Sequence, residues 1–295
     1  VPRLWESIKL GFEDAVDKMP KLRKILIRSA ISNSKAYKLA RRKNYFLTIE
    51  SVSSFEQIVS TLEMILRYPI HRISSTFLWP KILTKICGGR LRFPISGGGA
   101  IAPHIDSFFE ALGIELLVGY GLTETSPVLT CRRPWRNIRG GAGQPLPHTE
   151  IKIVDPETFH IRKFRQKGLV LARGPQIMSG YLGKQSESKK VLDDNGWFNT
   201  GDLGMLLADG SLILTGRAKD TIVLSSGENI EPGPLEECLI ACPLIEQALL
   251  LGQDQKHLAA LIVPRIENLK AWLEDRGVDS KIVLGLSQDN HKLRQ

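Results

Sequence analysis

At 295 residues, 42% hydrophobic and 24% charged, the chain has the composition of a globular protein with enough apolar side chains for a sizeable core, and its length suggests two domains. Lys and Arg outnumber Asp and Glu by 40 to 31, but the excess is local: Lys18 to Ile49 holds ten basic residues and no acid, which argues against a generally basic, nucleic-acid-coating protein and for an acidic partner or an anionic membrane surface. There is no apolar run of about 18 residues to span a membrane, and Cys87, Cys131, Cys238 and Cys242 lack the C-x-x-C spacing of a zinc site or a disulfide framework, so a reducing compartment is the simpler expectation.

Residues 1 to about 85 read as helices. "LWESIKLGFEDAVDKM" and "SFEQIVSTLEMILRY" place apolar residues three and four apart, with Pro20 and Pro69 as punctuation. Within the basic tract, Leu22, Ile25, Leu26 and Ala30 recur at helical spacing and are expected to face the core, leaving the cations as a solvated face. From Leu91 the pattern shifts. "LRFPIS" is strand-like and runs into Gly97, Gly98 and Gly99; "PHIDSFFEALG" is a helix closed by Gly113; "IELLVGYG" is a second buried strand. Strand, glycine turn, helix, strand is the order of a parallel α/β unit, whose ligands gather at the carboxyl ends of the strands.

Between about 140 and 217 the segments are short and β-rich: "TEIKIVD", "GLVLARG", and the pair "LGMLLA" and "SLILTG" joined by Asp209-Gly210, with a further turn at Asn195-Gly196. After "GRAKD" the chain reads as strand, loop, helix and two strands, with a domain boundary near Arg217 to Asp220. Cys238 and Cys242 are expected to be small core residues on the helix.

"GYGLTETSP", residues 119 to 127, combines glycines that let backbone approach a ligand, hydroxyls that donate to phosphate oxygens and a carboxylate able to hold Mg²⁺. Taken alone it could be a structural turn. "SGGGA" lacks the G-x-G-x-x-G spacing of a nicotinamide dehydrogenase, and no G-x-S-x-G of a serine hydrolase occurs.

Four segments in order resemble the adenylate-forming superfamily of acyl-CoA synthetases, luciferases and peptide-synthetase adenylation domains: "SGGGA" (Ser96 to Ala100), "GYGLTETSP", "GWFNTGDLG" (Gly196 to Gly204) and "GRAKDTIVLSSGENIEPGPLEE" (Gly216 to Glu237). The wording is most similar to the plant plastid acyl-activating enzymes within the long-chain acyl-CoA and acyl carrier protein synthetase branch. The resemblance implies an α/β fold, with a partial large N-terminal AMP-binding domain (parallel sheet plus β-rich subdomain) over 1–217 and an incomplete, small α+β mobile domain over 218–295. It implies that Gly98, Gly99 and Ala100 line an adenine, that Tyr120 stacks on it beside Gly121, that Thr123 contacts the α-phosphate and Glu124 the Mg²⁺, that Asp202 accepts from the ribose hydroxyls and that Arg217 reaches ribose or phosphate. Lys219 falls at the hinge and Gly227 in a loop lining a pantetheine tunnel. Thr123, Glu124 and Arg217 are thus the expected catalytic residues, with ATP or AMP, Mg²⁺, and CoA or the phosphopantetheine of an acyl carrier protein as cofactors.

The implied reaction is ATP-dependent activation of a long-chain fatty acid through an acyl-adenylate, followed by thioester formation on acyl carrier protein or CoA. The expected location is the chloroplast, with cytoplasm or a peripheral membrane as alternatives. Lys18 to Lys43 would meet an acidic carrier or anionic lipid. The family's phosphate loop would lie before residue 1, and its late lysine has no counterpart, since Lys292 in "NHKLRQ" lacks the expected context. The chain is therefore expected to be a fragment lacking both ends, with little adenylation activity alone; the alternative is a truncated, non-catalytic nucleotide-binding fragment.

Overall fold

The computed structural model describes residues 2–277, so Lys292 lies outside the described residues. The chain divides into two units, Val1–Ala218 and Lys219–Gln295.

The first unit opens with helices α1 (Pro2–Asp17), α2 (Lys21–Asn44) and α3 (Ser54–Ile73), followed by a wider π-type turn (Ser74–Leu78) and α4 (Trp79–Cys87). Pro20 sits just ahead of α2, where its missing N–H costs nothing. Pro69 does not punctuate: α3 runs through it. Close to this proline the Asn33 side chain of α2 donates to the Arg67 carbonyl at 3.1 Å. Ser53 and Glu56 form a reciprocal capping box at the start of α3.

Helix α5 (Pro103–Leu112) lies at the centre of this unit and ends on Gly113 at φ +97°. It follows β1 (Ile95–Ser96), which is parallel to β2 (Leu117–Gly121); β3 (Val128–Cys131) pairs antiparallel with β2, and β4 (Gln144–Pro145) antiparallel with β3. Only the last two residues of "LRFPIS" form strand. The core around α5 is aromatic: Phe109 meets Trp5 and Phe108 edge-on, both at 5.2 Å between ring centroids, and Trp79, Leu112 and Leu116 complete it.

Buried among these apolar residues are two carboxylates one helical turn apart, Asp106 and Glu110. Arg132 donates to Asp106 at 2.6 Å and to the Gly141 carbonyl at 2.7 Å, and Arg42 donates to Glu110 at 2.8 Å; Arg139 also pairs with Glu110. Burial holds all three guanidinium groups below their ordinary pKa, opposed by the carboxylates. Arg42 thereby ties α2 to α5.

The expectation that Leu22, Ile25 and Leu26 face the core is wrong. Of that set only Ala30 is buried, and Leu22 is 70% exposed. The buried residues of α2 are Ala30, Ser34, Tyr37, Ala40 and Arg42, because its partners α3 and α5 meet it from Ala30 onward and on another face.

The second sheet is antiparallel, in the order β5 (Glu150–Val154), β6 (Gly168–Arg173), β7 (Phe198–Leu206), β8 (Leu212–Arg217), with short α6 (Gln185–Val191) between β6 and β7. Asp209 and Gly210 close the β7–β8 hairpin, with Gly210 at φ +80°. The two sheets are joined where Leu212 exchanges backbone hydrogen bonds with Ala142 and Gly143, at 2.7 and 2.9 Å.

The second unit contains the hairpin β9 (Ile222–Val223) and β10 (Asn229–Ile230), then α7 (Pro232–Ile240), the antiparallel pair β11 (Ile245–Leu251) and β12 (Ala259–Pro264), and α8 (Ile266–Glu274). The helix and the two strands after it are as expected from the sequence, whereas the expected strand and loop before the helix form a short hairpin. Cys238 and Cys242 are not core residues. Both are exposed, α7 buries none of its residues, and Cys242 lies past its end.

Candidate functional site

The parallel register Ile95↔Leu117 and Ser96↔Val118 carries two glycine loops out of adjacent strand ends. A Cβ built on Gly97 would lie 3.4 Å from the Gly119 carbonyl oxygen, so the loops start in contact. Gly98, Gly99 and Ala100 are exposed, with Gly98 at φ +78°, a conformation that suits glycine. Gly121 is required by space: a Cβ there would be 1.7 Å from the Pro127 oxygen, because β2 and β3 close on each other at a bulge.

After Gly121 the chain makes one 3-10 turn, Thr123–Thr125. The Thr125 hydroxyl is fully buried, accepts from the Leu122 N–H at 2.9 Å and also meets the Pro127 carbonyl, so it fastens the turn from inside. Thr123 is left exposed and Glu124 half-buried. Glu124 is held twice by the loop after β6: its carbonyl accepts from the Met178 N–H at 2.8 Å, and its Oε1 accepts from the Tyr181 hydroxyl at 2.9 Å. That bond raises the Tyr181 pKa above its ordinary value.

Tyr120, at the end of β2, packs its ring against the core of the second sheet beside Ala142 and Val170. Its hydroxyl donates to Asp202 Oδ2 at 2.6 Å, while Arg217 Nε donates to Asp202 Oδ1 at 3.0 Å. Burial first, then the Asp202 charge, pushes the Tyr120 phenol well above its usual range, so it remains a donor. Asp202 is only 5% exposed and lies opposite Arg217 in the β7–β8 ladder. It does not merely cap a turn, because Thr200, Gly201 and Asp202 all belong to β7; Thr200 Oγ1 donates to the Val170 carbonyl at 2.8 Å and accepts from the Asp202 N–H at 3.1 Å.

The structure thus brings Tyr120, Asp202 and Arg217 into one hydrogen-bonded group, four residues along the chain from Glu124. Two bonds use about half of the roughly four acceptor positions of a carboxylate, leaving Asp202 able to accept from a diol. Among the described residues no cluster of three or more His, Cys, Asp and Glu could form an all-protein metal cage. A single carboxylate such as Glu124 nevertheless fits Mg²⁺, which commonly takes one or two carboxylates together with substrate phosphates. Lys219 is the first residue of the second unit, and Gly227, at φ +82°, closes the tight β9–β10 turn there. Sequence reasoning missed Tyr181 and Thr125. Thr125 lay within the glycine-rich motif, whereas "PQIMSGYLG" has neither periodicity nor charge to mark Tyr181.

Residues 2–182 match the AMP-binding enzyme family, and residues 219–291 match the AMP-binding enzyme C-terminal domain. The chain is 39% identical over 285 residues to the chloroplastic long-chain-fatty-acid–[acyl-carrier-protein] ligase AEE15 of Arabidopsis thaliana, an alignment covering 90% of this chain and 39% of that protein. It is 38% identical to the probable acyl-activating enzyme 16, chloroplastic, of the same plant, covering 96% of this chain and 42% of the relative. Among solved structures, the ATP-bound RpMatB-BxBclM chimera B1 is similar at a TM-score of 0.57 and 26% identity, over 70% of this chain and 43% of that one. The chain spans about two fifths of the length of the curated relatives it matches.

Proposed function

The chain belongs to the AMP-binding enzyme family, and on that premise we propose that it serves in the ATP-dependent activation of long-chain fatty acids, with transfer of the acyl group to the thiol of acyl carrier protein or CoA. The observation that carries this reading is the Asp202 carboxylate held between Tyr120 and Arg217 beside the Glu124 turn. In it, Asp202 accepts from the ribose hydroxyls while Arg217 balances its charge and donates to ribose or phosphate. Tyr120 stacks on a purine lined by Gly98, Gly99 and Ala100, with its hydroxyl bond to Asp202 fixing the ring. Gly121 lets the turn close so that Thr123 faces the α-phosphate and Glu124 faces the metal.

Mg²⁺ bound there would offset charge on the phosphate oxygens. A fatty carboxylate oxygen forms a bond to the α-phosphorus, pyrophosphate leaves, and the acceptor thiol then displaces AMP to give the thioester. Residues 1–217 act as the AMP-binding domain and 218–295 as the mobile one, hinged at Lys219, with Gly227 in the loop that meets pantetheine. The two chloroplastic relatives support a plastid location, and the first of them, a ligase named for acyl carrier protein, favours that acceptor. An acidic carrier suits the cations of Lys18 to Lys43.

Calorimetric titration with AMP tests the site. The chain is expected to bind AMP, and Asp202→Asn to bind at least about tenfold more weakly, the loss of roughly 1.4 kcal/mol. Equal affinity of the two forms would remove Asp202 from the site. Thioester formation by the native polypeptide, assayed with a long-chain fatty acid and each acceptor, decides between carrier protein and CoA.

A further inference from the structure

The irregular stretch between β6 and α6 is the one segment that touches both ends of Glu124: the Met178 N–H donates to its carbonyl at 2.8 Å and the Tyr181 hydroxyl to its Oε1 at 2.9 Å. Among the described residues no other hydrogen bond reaches the carboxylate, so Oε2 keeps its acceptor positions.

Though irregular, the stretch is anchored along its length. Gln176 donates to the Thr149 hydroxyl at 2.7 Å and to the Val128 carbonyl at 3.4 Å, which ties it to the starts of β5 and β3. The Tyr181 N–H donates to the Ser188 hydroxyl of α6 at 2.8 Å, and that hydroxyl donates to the Lys184 carbonyl at 2.9 Å. Gly180, at φ +145°, allows the close pass: a Cβ there would lie 3.0 Å from Ser188 Oγ. Helix α6 therefore fixes the Tyr181 backbone, and the side chain carries that fixed position to Glu124.

The bond has little to do with stability. Tyr181 is 36% exposed, so water competes for both partners. What the bond does set is direction. The last torsion of a glutamate is broad, and its staggered wells leave the carboxylate plane undefined. A donor on Oε1 removes that freedom.

We propose that Tyr181 is a positioning residue for the metal: its hydroxyl holds the Glu124 carboxylate by Oε1 and leaves Oε2 for Mg²⁺. The inference rests on the reading of Glu124 as the metal's carboxylate. Mg²⁺ makes orientation matter, because it demands near-ideal octahedral geometry and takes only one or two carboxylates beside phosphate oxygens. Hydrogen-bond partners of metal-ligating groups are worth about 10–100-fold in metal affinity for the same reason. The competing role, a tether for α6 alone, would act on the site whether or not metal is present.

Calorimetric titration of the native polypeptide with ATP, with and without Mg²⁺, separates the two. The quantity read is the gain in ATP affinity that Mg²⁺ brings. Tyr181→Phe, which keeps the ring, is expected to lower that gain about tenfold and to leave the affinities for AMP and metal-free ATP unchanged. Glu124→Gln should lower the gain at least as far, and Tyr181→Phe added to it should lower it no further, because the phenol acts through the carboxylate. A full gain in Tyr181→Phe beside a reduced one in Glu124→Gln would overturn the positioning role and leave Glu124 as the metal's carboxylate. A full gain in Glu124→Gln, or none in the unaltered polypeptide, would overturn that reading of Glu124 and this inference with it. Equal weakening of AMP, metal-free ATP and Mg²⁺-ATP binding by Tyr181→Phe would also overturn it, since Tyr181 would then serve the fold alone.

Discussion

Helices α5 and α3 lie in the same unit and both carry regularly spaced apolar residues, yet they treat water in opposite ways. Helix α5 buries Phe108, Phe109 and Leu112, and with them the carboxylates Asp106 and Glu110. Helix α3 buries only Ser60 and leaves its bulky apolar residues in solvent. Spacing says that a helix has two faces; the chemistry of the neighbours decides which face is covered. For α5 the neighbours supply aromatic rings and three arginines, so charge can be buried because it is paired. For α3 the neighbour is α2, whose Asn33, Ser34 and Asn44 offer hydrogen bonds and whose Tyr37 ring stacks on His71.

Removing one arginine breaks the pairing on which α5 depends. Arg132→Ala leaves Asp106 buried with a lost partner and is expected to cost about 3–5 kcal/mol of unfolding free energy by chemical denaturation. A loss under about 1 kcal/mol would mean that water reaches the carboxylate. Phe109→Ala, which deletes a ring from the same core, should cost a similar or slightly smaller amount, about 3–4 kcal/mol.

The polar contact between α2 and α3 should reveal itself through pH. Burial, with Lys38 and Arg41 nearby, lowers the His71 pKa to about 4. Between that value and its unfolded value near 6.5, the unfolded chain binds the extra proton, so stability rises with pH across the window and is lost on acidification. At 1.36 kcal/mol per unit the limit is about 3 kcal/mol, and the half-buried ring should give less. Melting temperatures of His71→Gln should vary less between pH 4 and 6.5 than those of the parent; parallel curves would show that His71 does not titrate differently on folding.

Tyr120→Phe removes one bond to a buried charge and should cost about 1.5–3 kcal/mol in stability. It should also weaken AMP binding if the ring's position depends on that bond. The smallest effect is expected on the outer side of α3, where Leu66→Gln should change stability by no more than about 0.5 kcal/mol. A larger loss there would mean that this apolar side is covered by protein, and the contrast with α5 would collapse.

Much of the architecture was legible in the chain. The hairpin at Asp209-Gly210, the helix stopped by Gly113 and the strand ending in "GYG" each depend on local conformational rules: residues that tolerate positive φ, and apolar runs of strand length. The site motifs were legible for a similar reason, since close backbone approach demands glycine wherever it occurs. Tyr181 was not, because its role comes from a bond to Glu124 across 57 positions of sequence. Pro69 misled because an interior proline is costly to a helix rather than forbidden, and α3, packed along α2, runs through it.

The sequence by itself determined the helical first third, the turn positions, the helix and strand pair after Asp220 and the glycine loops of the candidate site, all consequences of interactions within a few residues. Only the tertiary structure decided that Asp202 lies between Tyr120 and Arg217, that Asp106 and Glu110 are buried with arginine partners, and that α3 turns its apolar side outward. The physical reason is that burial and pairing are properties of what arrives opposite a residue, and distant chain supplies it.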